Sequence, residues 1–325
     1  MLLSPRTTVK PYEYQWAFDY WTKAHKSHWV PDEISMDQDV QDFHVLMSPR
    51  AKALVSYTLK GFTQTEMPIA DYWTTKVCRW FKIPEITMMA QTFGAFETIH
   101  IAAYSRLNDS LGINDYEAFL HDPVVKAKID RLIETDGDTP EEIALSLAVF
   151  SAFAKGVSLF SSFAILLHFT REPHNFLKGM GKQISYSVRD ESQHSEAGCR
   201  TFRQLIHEYP ELMTDKLRQE VVNAAILTIK LEDDFLDAAF GGSESIEGLS
   251  PYDLKQFVRH RINTKLSDLG IEPICAPDPL ALERMEWFDY MTAGEVRQDF
   301  FDQTPTTYAS NLGSKWDDDS MWDAG

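Results

Sequence analysis

Residues 188–197 read VRDESQHSEA, and within them Glu191 and His194 stand three apart. On a helix that spacing puts a carboxylate and an imidazole on one face, aimed at a common point. One such pair says little, because Glu and His three apart also occur as a solvated surface pair. Residues 95–104, AFETIHIAAY, repeat the pattern with Glu97 and His100. Both pairs keep apolar company: Phe96, Ile99 and Tyr104 around the first, Ile184 and Val188 before the second. Such faces turn inward, where a charge without a partner is expensive.

Two Glu-x-x-His helices, completed by one glutamate from each of two further helices, make the dimetal-carboxylate site of ferritin-like bundles. Glu66, in LKGFTQTEMPIADYW, lies mid-helix beside Met67, Pro68 and Ile69 and is the third candidate carboxylate, its other reading being a solvated charge. The fourth belongs on the helix expected over 139–170. That helix has Glu141 and Glu142 in its first turn, where they suit the helix dipole, and no glutamate further in. Residues 143–169, IALSLAVFSAFAKGVSLFSSFAILLHF, contain a single Lys, Arg, Asp or Glu, and it is Lys155, at the place of the missing carboxylate.

An ammonium in so apolar a run lies in a membrane, reaches water along its own stem, or meets a buried partner. The run is long enough to span a bilayer, but a lysine at the bilayer centre costs roughly 2.5–3.5 kcal/mol on the mildest scale, and no companion span exists. Snorkelling to solvent from a soluble bundle fits poorly with the small neighbours Ala152, Ala154, Gly156 and Ser158, which point to close helix contacts.

The chain around these motifs reads as all-α. Alternating Val/Ile/Thr runs bounded by tight-turn residues are scarce, and helical spacing predicts helices over about 35–45, 48–80, 85–112, 116–134, 139–170, 174–208, 211–240 and 251–268. Pro173 and Pro210 fall where helices stop or restart, and Gly241-Gly242 closes another. With 325 residues, 44% of them hydrophobic, the chain can bury a large core. A net charge of −18 argues against a nucleic-acid-binding surface. Cys78, Cys199 and Cys275 have no metal-ligand spacing and read as inert thiols of a reducing compartment. The first residues lack the apolar core of a signal peptide, so the expectation is a cytoplasmic protein with no membrane partner. The expected division is a helical domain over 1–303 and a flexible acidic tail over 304–325, in which Tyr308, Trp316 and Trp322 are set among acidic and polar residues. A tail of that kind either solvates or docks its aromatics in a partner's groove.

Taken together, these motifs resemble the small, radical-generating subunit of class I ribonucleotide reductase. The likeness covers nearly the whole chain: SHWVPDEISM with Trp29 and Pro31, the LKxxTxxE run ending at Glu66, ETIHxxxY from Glu97 to Tyr104, RDESxH from Arg189 to His194, and a tail tyrosine followed by acidic and aromatic residues. The resemblance implies one metal at Glu66, Glu97 and His100, a second at Glu191 and His194 with Lys155 where a glutamate is usual, and iron or manganese as the ions. It also implies that Tyr104 bears the radical, that Phe160 and Phe163 wall it from solvent, and that Trp29, Asp190 and Tyr308 relay the oxidising equivalent. The implied partners are the large subunit, docked through the tail, and a second copy of this chain. An activating flavoprotein is left open.

Three carboxylates and one ammonium sum to −2, which balances one divalent ion instead of two. The expectation is therefore that Lys155 weakens or replaces metal at the second position, pairing with Glu191 or a neighbour. A neutral amine, a carbamate on Lys155, or two metals with hydroxide supplying charge are the competing readings. Two other functions remain at this stage: an oxidase of the same fold acting directly on a small ligand, and an inactive metal-binding scaffold. Tyr308 and its tail speak against the first, and the retained Trp29, Asp190 and Tyr308 against the second.

Overall fold

A computed structural model describes the backbone of residues 1–114, 116–133 and 137–301; the side chains of 65–68, 116, 118, 132–133 and 293–301 lie outside the description. Among the described residues the chain is α-helical without a strand. In chain order the helices are α1 (Gln15–Lys26), α2 (Asp37–Gln41), α3 (Pro49–Asp71), α4 (Cys78–Trp80), α5 (Pro84–Leu111), α6 (Tyr116–Leu120), α7 (Pro123–Ile133), α8 (Pro140–Ala148), α9 (Phe160–His168), α10 (Lys178–Glu208), α11 (Asp215–Phe240), α12 (Pro251–Asp268) and α13 (Pro279–Phe301). A π-turn, Tyr72–Val77, joins α3 to α4 without a break in the rod.

Four rods hold the centre: α3 packs along α5, and α10 packs along the α8–α9 segment. Two apolar clusters fill the space between them. One gathers Trp73, Phe93, Phe150 and Phe202, the other Phe62, Tyr104, Phe163 and Leu166. The N-terminus of α10 is fixed from outside by two buried carboxylates. Asp39 accepts from the backbone N–H of Met180 at 2.6 Å and of Gly179 at 3.0 Å, and Asp42 from that of Leu177 at 2.9 Å. These bonds satisfy N–H groups that the helix itself cannot reach, and they set the depth at which the second Glu-x-x-His enters the core.

The structure departs from the sequence reading in five places. Helix α1 was not foreseen, although Trp16, Ala17 and Ala24 form its buried stripe. Helix α13 was also missed, where Ala281, Met285 and Phe288 are buried at helical spacing. The expected helix 116–134 is two helices, because Asp122 caps a new start at Pro123 by accepting from the Val124 N–H at 2.8 Å. Helix α10 begins at Lys178, four residues later than expected.

The fifth departure bears on the site. The expected helix 139–170 is interrupted: α8 gives way to a π-turn over Val149–Ala154, residues 155–159 form turns, and α9 starts at Phe160. Lys155 stands where the π-turn ends. The segment lies hard against α10 and α12, since a Cβ on Gly156 would come within 2.7 Å of Ser195 Oγ and of Lys265 Cδ. A Cβ on Gly198 would likewise meet Ser151 Oγ at 2.1 Å. Glycine is required at both points for close approach, as the small residues around Lys155 had suggested. No described helix is long and apolar enough to cross a membrane.

Candidate metal centre

Helix α5 brings Glu97, His100 and Tyr104 to one inward face, and α10 brings Asp190, Glu191 and His194 to meet it; all six are buried. Glu97, Glu191 and His194 each offer a ligand atom, and these atoms lie within 4.8 Å of one another. Both motif carboxylates face both imidazoles. His100 Nδ1 is 3.2 Å from Glu97 Oε2 and 3.2 Å from Glu191 Oε1, while His194 Nδ1 is 2.9 Å from Glu97 Oε1 and 3.8 Å from Glu191 Oε2.

Lys155 enters this centre from the third rod. Its ammonium lies 2.7 Å from Glu97 Oε1 and 2.7 Å from Glu191 Oε1, and the lysine is fully buried. The sequence reading placed a partner at Glu191 or a neighbour; the structure supplies both motif glutamates at once.

The second ring nitrogen of His100 points the other way. Nε2 lies 3.2 Å from Asp190 Oδ2, and the same oxygen accepts from the Trp29 indole N–H at 2.9 Å. Arg189 anchors this layer, donating to the Ser27 carbonyl at 2.6 Å and pairing with Asp190 Oδ1 at 3.3 Å. A carboxylate behind a ligating imidazole fixes the ring and its tautomer. On the inward side, the Tyr104 ring is 6.1 Å from that of His100 and 5.0 Å from Phe62. Phe163 stacks on Phe62 at 5.0 Å, and Phe160 meets Phe163 edge-on at 5.5 Å.

Burial pushes the Glu97 carboxyl up, but Lys155, His194 and the hydrogen bonds of both imidazoles outweigh it and hold the group well below the usual carboxylate range. Glu191 is also lowered: burial and the charge of Glu97 oppose ionisation, and Lys155 and the two histidines overcome them. The imidazoles move the opposite way. Burial disfavours charge on His100, yet Asp190, Glu191 and Glu97 raise it well above the ordinary histidine value, and His194 is raised by Glu97 and Glu191 against the same burial. Without a metal, therefore, the carboxylates favour protonated imidazoles, and a metal would compete with those protons.

The donor set fits a metal. Two buried carboxylates and an imidazole bring ligand atoms within 4.8 Å of one another, and the cation that stands among them is the Lys155 ammonium, paired with Glu97 Oε1. Carboxylate oxygen with imidazole nitrogen suits iron and manganese. The side chain of Glu66 and the whole of Tyr308 lie outside the described residues, so their expected roles carry no geometry.

Four contributors escaped the sequence reading. Phe62 covers Tyr104, Trp73 and Phe93 flank His194 with rings 5.9 and 4.3 Å away, and Tyr186 lies 5.4 Å from Trp29. A partial signal existed, since Phe93 and Tyr186 stand four residues before Glu97 and Asp190 and so share their helix faces. Cys78, Cys199 and Cys275 form no disulfide, and burial raises the Cys199 thiol to about 11.

A bundle of long helices whose core joins two Glu-x-x-His motifs belongs to the ferritin-like, dimetal-carboxylate class of proteins. Within that class the chain belongs to the ribonucleotide reductase small chain family, whose model matches residues 6–277. It is 33% identical to a probable ribonucleoside-diphosphate reductase small subunit of Invertebrate iridescent virus 3, over 97% of this chain and 88% of that one. A counterpart in Invertebrate iridescent virus 6 is 29% identical, covering 99% of this chain and 98% of the relative. Among solved structures, a putative class I ribonucleotide reductase from Bacillus halodurans superposes with a TM-score of 0.73 at 21% identity, covering 82% of this chain and 96% of that one. The dimanganese(II) NrdF protein of Streptococcus sanguinis does so with a TM-score of 0.73 at 18% identity, over 86% and 98%.

Proposed function

We propose that this chain generates an oxidising equivalent at the buried centre and delivers it to a ribonucleotide reductase large subunit, which uses it to reduce ribonucleotides. The observation that carries the reading is the shared oxygen Asp190 Oδ2, which joins the inner imidazole of His100 to the outer indole of Trp29. An inert bundle has no use for a carboxylate that joins a ligand imidazole to a buried indole.

Glu97, His100, Glu191 and His194 would hold the metal, with Glu66 as a further ligand. When bound, iron or manganese supplies one-electron chemistry with an oxygen-derived oxidant. The protein's own residues do the rest. Tyr104, fully buried one turn beyond His100, is placed to store the equivalent, and Phe62, Phe163 and Phe160 exclude water from its ring. Asp190 holds the His100 and Trp29 N–H groups so that the indole stays oriented as charge moves between them. Tyr308, in the tail 304–325, continues the path toward the large subunit, and the tail docks the two chains. The helical domain 1–303 works as a homodimer.

Lys155 alters this centre in a way that charge alone dictates. Glu66, Glu97, Glu191 and Lys155 sum to −2, so one divalent ion neutralises the set and a second leaves it positive; buried net charge is costly. The centre therefore holds one tightly bound metal per chain, and the second position is weakened. The test is reconstitution with a cognate large subunit after loading with iron or manganese and an oxidant. Nucleotide reduction that is lost in Trp29→Phe supports the reading. No reduction under any metal and oxidant condition contradicts it.

A further inference from the structure

The turns that follow Lys155 leave a backbone carbonyl without its helical partner. In an unbroken helix the Phe160 N–H would bond to the Gly156 carbonyl; here it bonds to that of Val157 at 3.0 Å. The Gly156 oxygen accepts instead from α12, where Arg261 Nε–H donates to it at 2.8 Å. That bond fixes the main chain one residue beyond Lys155.

The same guanidinium reaches the other end of the turn. Its central carbon stands 3.3 Å from the centroid of the Phe160 ring and 5.7 Å from that of Phe257, one helical turn before it on α12. A planar cation that donates along its edge and stacks on its face makes both contacts at once, which a lysine ammonium cannot do. Its neighbour Arg259 makes an ordinary ion pair, 2.7 Å from Asp233. Arg261 turns instead to a neutral carbonyl and a ring.

What this clasp supports is the base of Lys155. The ammonium lies 2.7 Å from Glu97 Oε1 and from Glu191 Oε1, yet it gets there from a segment whose hydrogen bonds change register. The Lys155 N–H bonds to Phe150, five residues back, at 3.0 Å, and the Val157 N–H to Phe153, four back, at 3.1 Å. Gly156 between them adds backbone freedom. Such a segment takes its position from what packs against it.

We infer that Arg261 is a positioning residue for the metal centre: by fixing the Gly156 carbonyl and the Phe160 ring it keeps the Lys155 ammonium on Glu97 and Glu191, in competition with a metal for both. The inference rests on the reading of Lys155 as the charge that limits metal binding. When the bond to Gly156 is removed, the main chain there shifts, the ammonium loosens from the glutamates, and a metal binds them more tightly.

The experiment compares Arg261→Met, Arg261→Gln and Lys155→Met as full-length, metal-free protein. Gln carries its amide nitrogen as many bonds from the backbone as Arg carries Nε, so it donates to Gly156 without covering Phe160; Met has a similar stem and no donor. Two quantities are read: the rate of reductive methylation of Lys155, by mass spectrometry of its peptide, and the affinity for manganese(II), by calorimetry. In Arg261→Met, methylation of Lys155 is expected to rise several-fold and manganese(II) to bind about ten-fold more tightly, the lower end of the range in which residues behind a metal site change affinity. Arg261→Gln is expected to stay within about two-fold of the wild type in both. On top of Lys155→Met, Arg261→Met is expected to change affinity by less than about two-fold, because the group it acts through is gone. Equal changes in Arg261→Met and Arg261→Gln assign Arg261 to packing alone and overturn the inference. Weaker binding in Arg261→Met, the mark of a loosened fold, overturns it too. No change in Arg261→Met beside tighter binding in Lys155→Met overturns the inference and leaves the reading of Lys155 intact. Unchanged affinity in Lys155→Met overturns that reading and the inference together.

Discussion

The ammonium of Lys155 lies 2.7 Å from Oε1 of Glu97 and is fully buried with it. The same ammonium reaches Glu191 at 2.7 Å, so a single positive charge ties together the carboxylates of both Glu-x-x-His motifs. It does in the metal-free protein part of what a cation does in the loaded one, and several consequences can be measured.

Replacing Lys155 by Met keeps most of the volume and removes the charge. Breaking a buried pair from one side leaves uncompensated carboxylates and costs roughly 3–5 kcal/mol. Denaturant unfolding of metal-free Lys155→Met is expected to show that loss, and manganese(II) is expected to recover most of it by binding the folded state. A loss below about 1 kcal/mol in the metal-free protein would mean that Lys155 does not balance these carboxylates.

Metal loading should release protons. His100 and His194 are both raised above the ordinary histidine value by the carboxylates around them, which favours the protonated imidazoles in the empty centre, and a metal takes neutral imidazole. Calorimetric titration with manganese(II) in buffers of different ionisation enthalpy is expected to show net proton release on binding. No proton release would contradict the charge account.

Asp190→Asn retains the shape of the link between His100 and Trp29 but removes its charge. Partners behind a metal ligand are worth about 10–100-fold in affinity or activity. Nucleotide reduction is expected to fall in that range, with Arg189 left without its carboxylate and the melting temperature little changed. Unaltered turnover would remove Asp190 from the path.

Acid stability should carry the signature of His168, far from the centre. Burial lowers this imidazole to about 4. Its Nε2–H donates to the Glu247 carbonyl at 2.9 Å, and its Nδ1 accepts from Arg171 at 3.2 Å, so a second proton has no place. The unfolded chain binds that proton near pH 6.5 and the native one only near 4. Stability from this group is complete above the unfolded value and is lost as pH falls from about 6.5 toward 4, by about 2–3 kcal/mol at pH 4.5. His168→Gln can keep both bonds without titrating. The difference in unfolding free energy between it and the wild type is expected to narrow by that amount between pH 7 and 4.5, and a difference independent of pH would refute the assignment.

Much of this was legible in the sequence because it is local. Two Glu-x-x-His spacings on apolar helix faces announce a paired site, and a lone lysine in a long apolar run announces a buried charge that needs a partner. What Lys155 touches was not legible, since that depends on how the segment after α8 meets α5 and α10. The π-turn before it was hidden for a related reason: an unbroken apolar run such as Val149–Ala154 does not reveal a change in hydrogen-bond register. Phe62 and Tyr186 were missed because an aromatic on a helix face says nothing of the ring it will meet across the bundle. Helix α1 escaped because its buried stripe of Trp16, Ala17 and Ala24 is narrow and interrupted by polar residues.

The central claim is that Lys155 holds this centre to one tightly bound metal per chain, and it is tested most directly by counting. Anomalous scattering at the iron and manganese edges from crystals grown with each metal would place and count the ions beside Lys155. The account predicts one fully occupied position, among Glu97, His100, Glu191 and His194, with the ammonium still paired to a carboxylate. Two fully occupied positions would contradict it.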